Sequence, residues 1–451
     1  METAERSAAV VKADPAPTDA LPQNGRAFCT APWFQLHIAI GGIARPCCEI
    51  KGDFGDVSRQ SIEDIWEGQA FRDFRARMLR DERDGRCGKC YEIEETGGSS
   101  LRKAYNAMWG RHTDWLGGNT RAAGRTDSTA PNLPTTLDIR FSNLCNFSCR
   151  MCYHGASSKW FSDARKMGST VGPDALISTF ASTEAGMLAL RPVLPTVEQI
   201  FFAGGEPLLL EQHYAILNEL MALGRSDVAL GYNSNMSELR LGRLDVLDFW
   251  SHFKDIQVQV SVDGSGARGE LIREGMCWAD FAANVKAVKE LCPHVRMNYG
   301  ITVSAFNVWA LPELHRDLLA LECSRDFHFH VLQEPDYYSV QILPRAIKHE
   351  IRRRLEAHAA GCARDDAGAR ESIGSQFRHI IDHMMAEDRT DLIERFRDVS
   401  LQLDRLRNRS TAAICPELAP LLRSSAFSTL HRRVRGALRR AVRPKIRLAR
   451  A

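Results

Sequence analysis

Cys145, Cys149 and Cys152 follow a short apolar run, Leu137–Phe141, with the spacing C-x3-C-x2-C. Three thiolates held this close can bind three irons of a four-iron cluster and leave the fourth iron open. An open iron can chelate a small molecule and pass it an electron. The same trio also suits zinc with a fourth ligand from elsewhere, and His154 is a nearby candidate.

A second cysteine group precedes it. Cys29 is followed by Cys47, and Cys87 and Cys90 form a C-x2-C pair after a helix-like stretch. Four thiolates make a closed site, and ligand type and number fit structural zinc as well as an iron–sulfur cluster. Cys48, beside Cys47, is either a bystander or a substitute. The third pattern is Phe201-Phe-Ala-Gly-Gly-Glu-Pro-Leu. Gly204 and Gly205 let the backbone approach a ligand closely. Glu206 and the freed carbonyls can accept bonds from an ammonium group, and Pro207 fixes the exit from the strand.

Of the 13 cysteines in 451 residues, eight precede residue 153 in tight groups. The other five (Cys277, Cys292, Cys323, Cys362 and Cys415) stand singly and read as buried or incidental thiols. The N-terminal segment has no long apolar stretch, so neither a signal peptide nor a membrane helix is expected there. No run elsewhere reaches the length of a bilayer span. A cytoplasmic protein is therefore expected, in which metal ligation rather than disulfide formation explains the cysteines. A net charge of +3 with 25% charged and 44% hydrophobic residues describes a globular chain not built to coat nucleic acid.

The elements that must position these residues follow from hydrophobic period. From Thr135 to about Pro344, short apolar runs alternate with helical patterns. Predicted strands are Leu137–Phe141, Gln199–Ala203, Ala229–Asn233, Ile256–Val260, Arg296–Val303 and Phe327–Leu332, with helices such as Leu210–Leu223 and Trp278–Leu291 between them. This alternation implies an α/β fold, a partial (β/α)6 TIM-type barrel with chemistry at the C-terminal strand ends. The triad loop and the Gly-Gly-Glu-Pro turn then share one end of the sheet. The expected organisation is a disordered segment over 1–25, a small α+β cluster domain over 26–110, a linker over 111–134, the core over 135–345 and a helical extension over 346–451. Within the cluster domain a strand-like region spans Trp33–Ala44 and one helix spans Ser61–Asp81, opened by Ser61-Ile-Glu-Asp.

Taken together, Cys145-x3-Cys149-x2-Cys152 and Gly204-Gly205-Glu206-Pro207 resemble the radical S-adenosylmethionine (SAM) enzymes, over roughly residues 135–345. In that family the open iron of a [4Fe-4S] cluster binds the methionine amino and carboxylate groups. Electron transfer then cleaves SAM to methionine and a 5′-deoxyadenosyl radical that abstracts hydrogen from substrate. The resemblance implies SAM-binding roles for Met151, Gly204, Gly205, Glu206 and Pro207. It extends to Ser261 in Ser-Val-Asp-Gly and to Arg273, at positions that hold the SAM carboxylate and ribose. Leu332 resembles the position whose backbone meets the adenine, and Asn233 and Asn235 end a strand where SAM or substrate can be touched.

Cys29-x12-Gly42-x4-Cys47, with Cys87-x2-Cys90 after a helix, resembles the twitch domain, the shortened relative of SPASM. The resemblance implies one auxiliary [4Fe-4S] cluster held by Cys29, Cys47, Cys87 and Cys90. Most relatives carry this unit after the barrel, whereas here it comes before, which leaves the separation of the two clusters open. His37 reads as a packed strand histidine, and Glu92, Glu94 and Glu95 as a solvated face.

The function these resemblances imply is an oxidoreductase. It abstracts hydrogen from a small polar metabolite or natural-product precursor, and the auxiliary cluster takes the surplus electron from a net oxidation. A flavodoxin- or ferredoxin-type donor supplies the reducing electron. A peptide maturase or a redox-neutral epimerase is the nearest alternative, and a non-catalytic zinc scaffold is the alternative of another class. The last 21 residues carry nine Lys or Arg and no acid, with Val434, Leu438 and Val442 on one helical stripe. Such a tail suits an anionic membrane surface, an acidic partner or a solvated helix.

Overall fold

The computed structural model describes residues 25–95, 97–110, 133–365 and 367–423. The expected N-terminal disorder, most of the 111–134 linker and the basic tail lie outside the described residues. The strands are β1 (Gln35–Ile38), β2 (Ala44–Arg45), β3 (Thr136–Arg140), β4 (Ser148–Cys149), β5 (Gln199–Ala203) and β6 (Ala229–Ser234). They continue with β7 (Arg240–Leu241), β8 (Leu244–Asp245), β9 (Ile256–Ser261), β10 (Arg273–Glu274), β11 (Arg296–Val303) and β12 (Phe327–Val331).

Eight strands form one sheet in the order β12-β11-β9-β6-β5-β3-β1-β2. β3, β5, β6, β9, β11 and β12 run parallel, each joined to the next by a helical crossover. The core is thus the expected partial (β/α)6 array. Period-two alternation explains how each strand sits. In β9, Ile256, Val258 and Val260 are buried while Gln257, Gln259 and Ser261 are half-buried on the other face. The apolar face packs on the helices. His213 on the helix Glu211–Ala222 meets the Tyr232 hydroxyl at 3.0 Å and stacks edge-on to Phe202 at 4.9 Å.

The N-terminal region is tied directly to the core, because its two strands join the core sheet. β1 pairs in parallel with β3, and β2 pairs antiparallel with β1. Leu36 and Ile38 continue the buried apolar row of Leu137 and Ile139, which covers the open edge of β3. The strand-like span from Trp33 begins differently from expectation, as a short helix Ala31–Phe34. The single helix expected over Ser61–Asp81 is two, Ile62–Trp66 and Gln69–Leu79. Gly68 breaks it by taking an extended backbone at the second N-cap, and Ser61 caps the first through the Asp64 N–H.

The C-terminal extension is helical through Leu422. Its helix Ile393–Arg407 packs behind the cysteine loop. Asp404 Oδ1 lies 2.5 Å from Nη2 of Arg150, between Cys149 and Met151, and Arg407 reaches Asp163 at 2.9 Å. Among the described residues no helix is long and apolar enough to cross a membrane.

Candidate functional site

The parallel core brings Cys145, Cys149 and Cys152 (after β3), Gly204–Pro207 (after β5), Asn235 (after β6), Ser261 (at the end of β9) and Leu332 (after β12) to one sheet end. Cys149 lies in β4, whose antiparallel partner β10 sets Arg273 directly opposite it. Arg273 Nη1 is 3.9 Å from Cys149 Sγ, and its Nε is 2.7 Å from Oδ2 of the fully buried Asp263. Nothing in its local sequence marks Asp263 out, although it stands inside the Ser261-Val-Asp-Gly run. Burial pushes its carboxyl up, and Arg273 opposes that rise.

Glu206 is buried, and its carboxylate is taken up within the loop. Oε1 accepts from the Leu208 N–H at 3.2 Å and the Ser234 hydroxyl at 2.8 Å, and Oε2 accepts from the Asn235 N–H at 2.7 Å. It therefore ties the β5 turn to the β6 turn. Asn235 passes the tie onward, donating from Nδ2 to Asn146 Oδ1 at 3.0 Å with Cys145 Sγ at 4.0 Å. Gly205 donates to the Ser142 carbonyl at 3.1 Å, and a Cβ there would fall on the Leu144 carbonyl oxygen. Gly204 has φ +119°, a left-handed conformation that L side chains rarely adopt. Met151 and Leu332 are buried, Ser261 is half-buried, and the Leu332 N–H is bound to the Val303 carbonyl at 2.9 Å.

The triad fits an iron–sulfur cluster. Burial pushes Cys145 up to about 12, with Cys149 and Glu206 adding to it, so the Cys145 thiol needs a cation to become a thiolate. The Phe147 N–H points at Cys145 Sγ at 3.4 Å, a bond of the kind that tunes a cluster thiolate.

In the N-terminal domain, Cys29, Cys47, Cys87 and Cys90 line one pocket with Pro32, Ile50 and Leu101. Four soft donors around an apolar cavity suit an iron–sulfur cluster. Burial raises all four thiols, Cys87 to about 12, and Cys47 is raised further by Cys48, Cys29, Cys87 and Cys90. Cys48 does not line this pocket. Its thiol is pushed up to about 12 by burial and then by Asp138, and Arg140 opposes. Arg102 supplies a cation at the pocket wall, held by the Phe28 carbonyl at 2.8 Å and by Glu94. Glu94 is thus not on a solvated face, since it is drawn inward by Arg102. His37, in β1, is packed as expected, with Nδ1 2.9 Å from Asp138 Oδ2.

Residues 139–311 match the family model described as the radical SAM superfamily, and residues 29–91 match SPASM, described as an iron–sulfur cluster-binding domain. The chain is a radical SAM superfamily protein with a SPASM-type domain placed before the core. SAM, the [4Fe-4S] cluster that binds it and an auxiliary iron–sulfur cluster are the cofactors these domains take.

Solved structures resemble it more distantly. Native anSMEcpe with bound AdoMet and Cp18Cys peptide is 17% identical over 49% of this chain and 58% of that one, with a TM-score of 0.34. SuiB from Streptococcus suis bound to S-adenosylmethionine is 12% identical over 64% of this chain and 61% of that one, with a TM-score of 0.33. TYW1 with a lysine–pyruvate adduct bound is 13% identical over 47% and 70%, with a TM-score of 0.27. The chain spans less than two thirds of the length of the first two.

Proposed function

We propose that this chain is a cytoplasmic oxidoreductase that removes hydrogen from a carbon of a small polar metabolite or natural-product precursor, giving a net two-electron oxidation. Cys145, Cys149 and Cys152 hold the SAM-binding cluster, and Cys29, Cys47, Cys87 and Cys90 hold the auxiliary one. When bound, these groups and SAM supply a hydrogen-abstracting 5′-deoxyadenosyl radical and an acceptor for the electron left on the substrate.

The chain's own residues have separable tasks. Glu206 and Asn235 fix the turns on which SAM rests. Asp263 holds the Arg273 guanidinium beside Cys149, where it can orient a carboxylate or ribose. Ser261 offers a hydroxyl, and Leu332 offers its backbone at the last strand. A flavodoxin- or ferredoxin-type protein supplies electrons.

The observation that carries this reading is one largely polar face of the sheet. His37, Asp138, Asn233, Gln259, Ser261 and Asn298 all lie on the sheet face turned away from the crossover helices. That face crosses from β11 to β1, the strand that belongs to the auxiliary domain, with the aromatic Phe201 of β5 in register between Asp138 and Gly231. A polar substrate held by amides there lies between the two cysteine groups. Protein reconstituted anaerobically to about eight irons and then reduced is expected to form 5′-deoxyadenosine together with a product lacking two hydrogens. Formation of 5′-deoxyadenosine with the substrate recovered at the same oxidation level, isomerised only, would overturn the oxidative assignment.

A further inference from the structure

We propose that His315, His358 and Cys362 form a zinc site, distinct from both cysteine groups, that joins the barrel to the C-terminal extension. His358 and Cys362 are one turn apart on the helix Arg345–Asp365 and so project from one face. His315 comes from the helix Leu311–Leu319, which follows β11. His315 Nδ1 is 3.0 Å from His358 Nε2, and that same nitrogen is 3.5 Å from Cys362 Sγ. All three donor atoms lie within 4.8 Å of one another. In the sequence Cys362 reads as a single thiol, because its two partners are one turn and 47 residues away.

The geometry suits a cation better than a hydrogen-bond network. His358 Nε2 faces two partner atoms, yet an imidazole nitrogen offers one proton or one lone pair. A metal at the common point accepts a lone pair from each of the three. The rings are held in place by aromatic neighbours, Phe327 against His315 at 4.6 Å and Phe377 against His358 at 5.8 Å. Glu313 binds Arg316 at 3.3 Å and Arg354 at 2.8 Å, which neutralises part of the positive charge nearby. Two imidazoles and one thiolate are borderline donors of the kind zinc takes tetrahedrally. His315 is buried, while His358 and Cys362 are half-buried, so the fourth position is left to water from the solvent side. Binding releases the Cys362 thiol proton. The site pins the extension whose later helix carries Asp404 to Arg150 in the cysteine loop.

The test is elemental analysis of the anaerobically purified full chain. About one zinc per chain is expected alongside the iron. His358→Ala and Cys362→Ser should each remove that zinc and leave the iron content unchanged. Cobalt substitution should give a near-ultraviolet thiolate-to-cobalt band that Cys362→Ser abolishes. Zinc at background in fully iron-loaded protein overturns the proposal. So does zinc that survives both substitutions, or zinc that disappears instead in Cys87→Ser, which places it in the auxiliary pocket.

Discussion

His37 Nδ1 and Asp138 Oδ2 lie 2.9 Å apart, with both side chains only 2% exposed. One residue belongs to the strand of the auxiliary domain and the other to the first core strand, in direct register. Burial acts to raise the Asp138 carboxyl, but His37 and Arg140 outweigh it and hold it below its ordinary value. The contact therefore joins the two domains across a shared sheet, in the interior, where a charge left alone is strongly unfavourable.

Removing the charge should loosen that junction. Asp138→Asn is expected to destabilise the protein by about 3 kcal/mol, the scale for breaking a buried pair on one side. Anaerobic urea denaturation followed by tryptophan fluorescence measures it. An unchanged midpoint would show that the pair contributes nothing to holding β1 on β3.

Gly205 should tolerate no side chain. A Cβ would overlap the Leu144 carbonyl, which accepts the Glu206 N–H at 2.7 Å and precedes Cys145. The Gly205→Ala protein is expected to lose SAM cleavage by on the order of 100-fold, a misplacement effect. Its auxiliary iron should stay in place. Quantifying 5′-deoxyadenosine beside iron content separates this outcome from general unfolding.

Much of the core was legible in the sequence because period and punctuation agreed. Gln199–Ala203, Arg296–Val303 and the helix Trp278–Leu291 occupy the residues expected from apolar spacing alone. The cysteine groups were legible from spacing, since thiolate ligands cluster locally. What was hidden depended on partners far away in the chain. β4 and β10 are two residues each, too short to carry a period, yet their pairing is what places Arg273 against Cys149. The four apolar and polar positions of β1 fit an isolated strand as well as a sheet edge, so its pairing with β3 could not be read from Gln35–Ile38. Asp263 and Cys362 look ordinary until their partners arrive from other elements.

Cys47 and Cys48 were indistinguishable by type and nearly so by spacing, and the fold separates them. Cys47 faces the pocket with Cys29, Cys87 and Cys90, whereas Cys48 is influenced by Asp138 and Arg140. Reconstituted Cys47→Ala should lose about four irons per chain, one cluster's worth. Cys48→Ala should keep them and retain the low-temperature electron paramagnetic resonance signal of the reduced auxiliary cluster. The reverse pattern would assign the ligand to Cys48.

His213 sets an acid limit on stability. It is fully buried, and burial pushes its pKa down to about 3, so the folded protein holds it neutral. In the unfolded chain it takes a proton near pH 6.5. Its folded value is depressed, so its contribution is complete above the unfolded pKa. That contribution falls as pH drops from about 6.5 toward the folded value. The slope in that window approaches about 1.4 kcal/mol per pH unit. Anaerobic denaturation at pH 7.5 and pH 5.5 should therefore show the wild type losing roughly 1 kcal/mol more than His213→Gln. The glutamine side chain can still meet the Tyr232 hydroxyl, which His213 Nε2 approaches at 3.0 Å, but it has no proton to gain. Equal losses in the two proteins would show that His213 is already protonated in the fold, or that water reaches it.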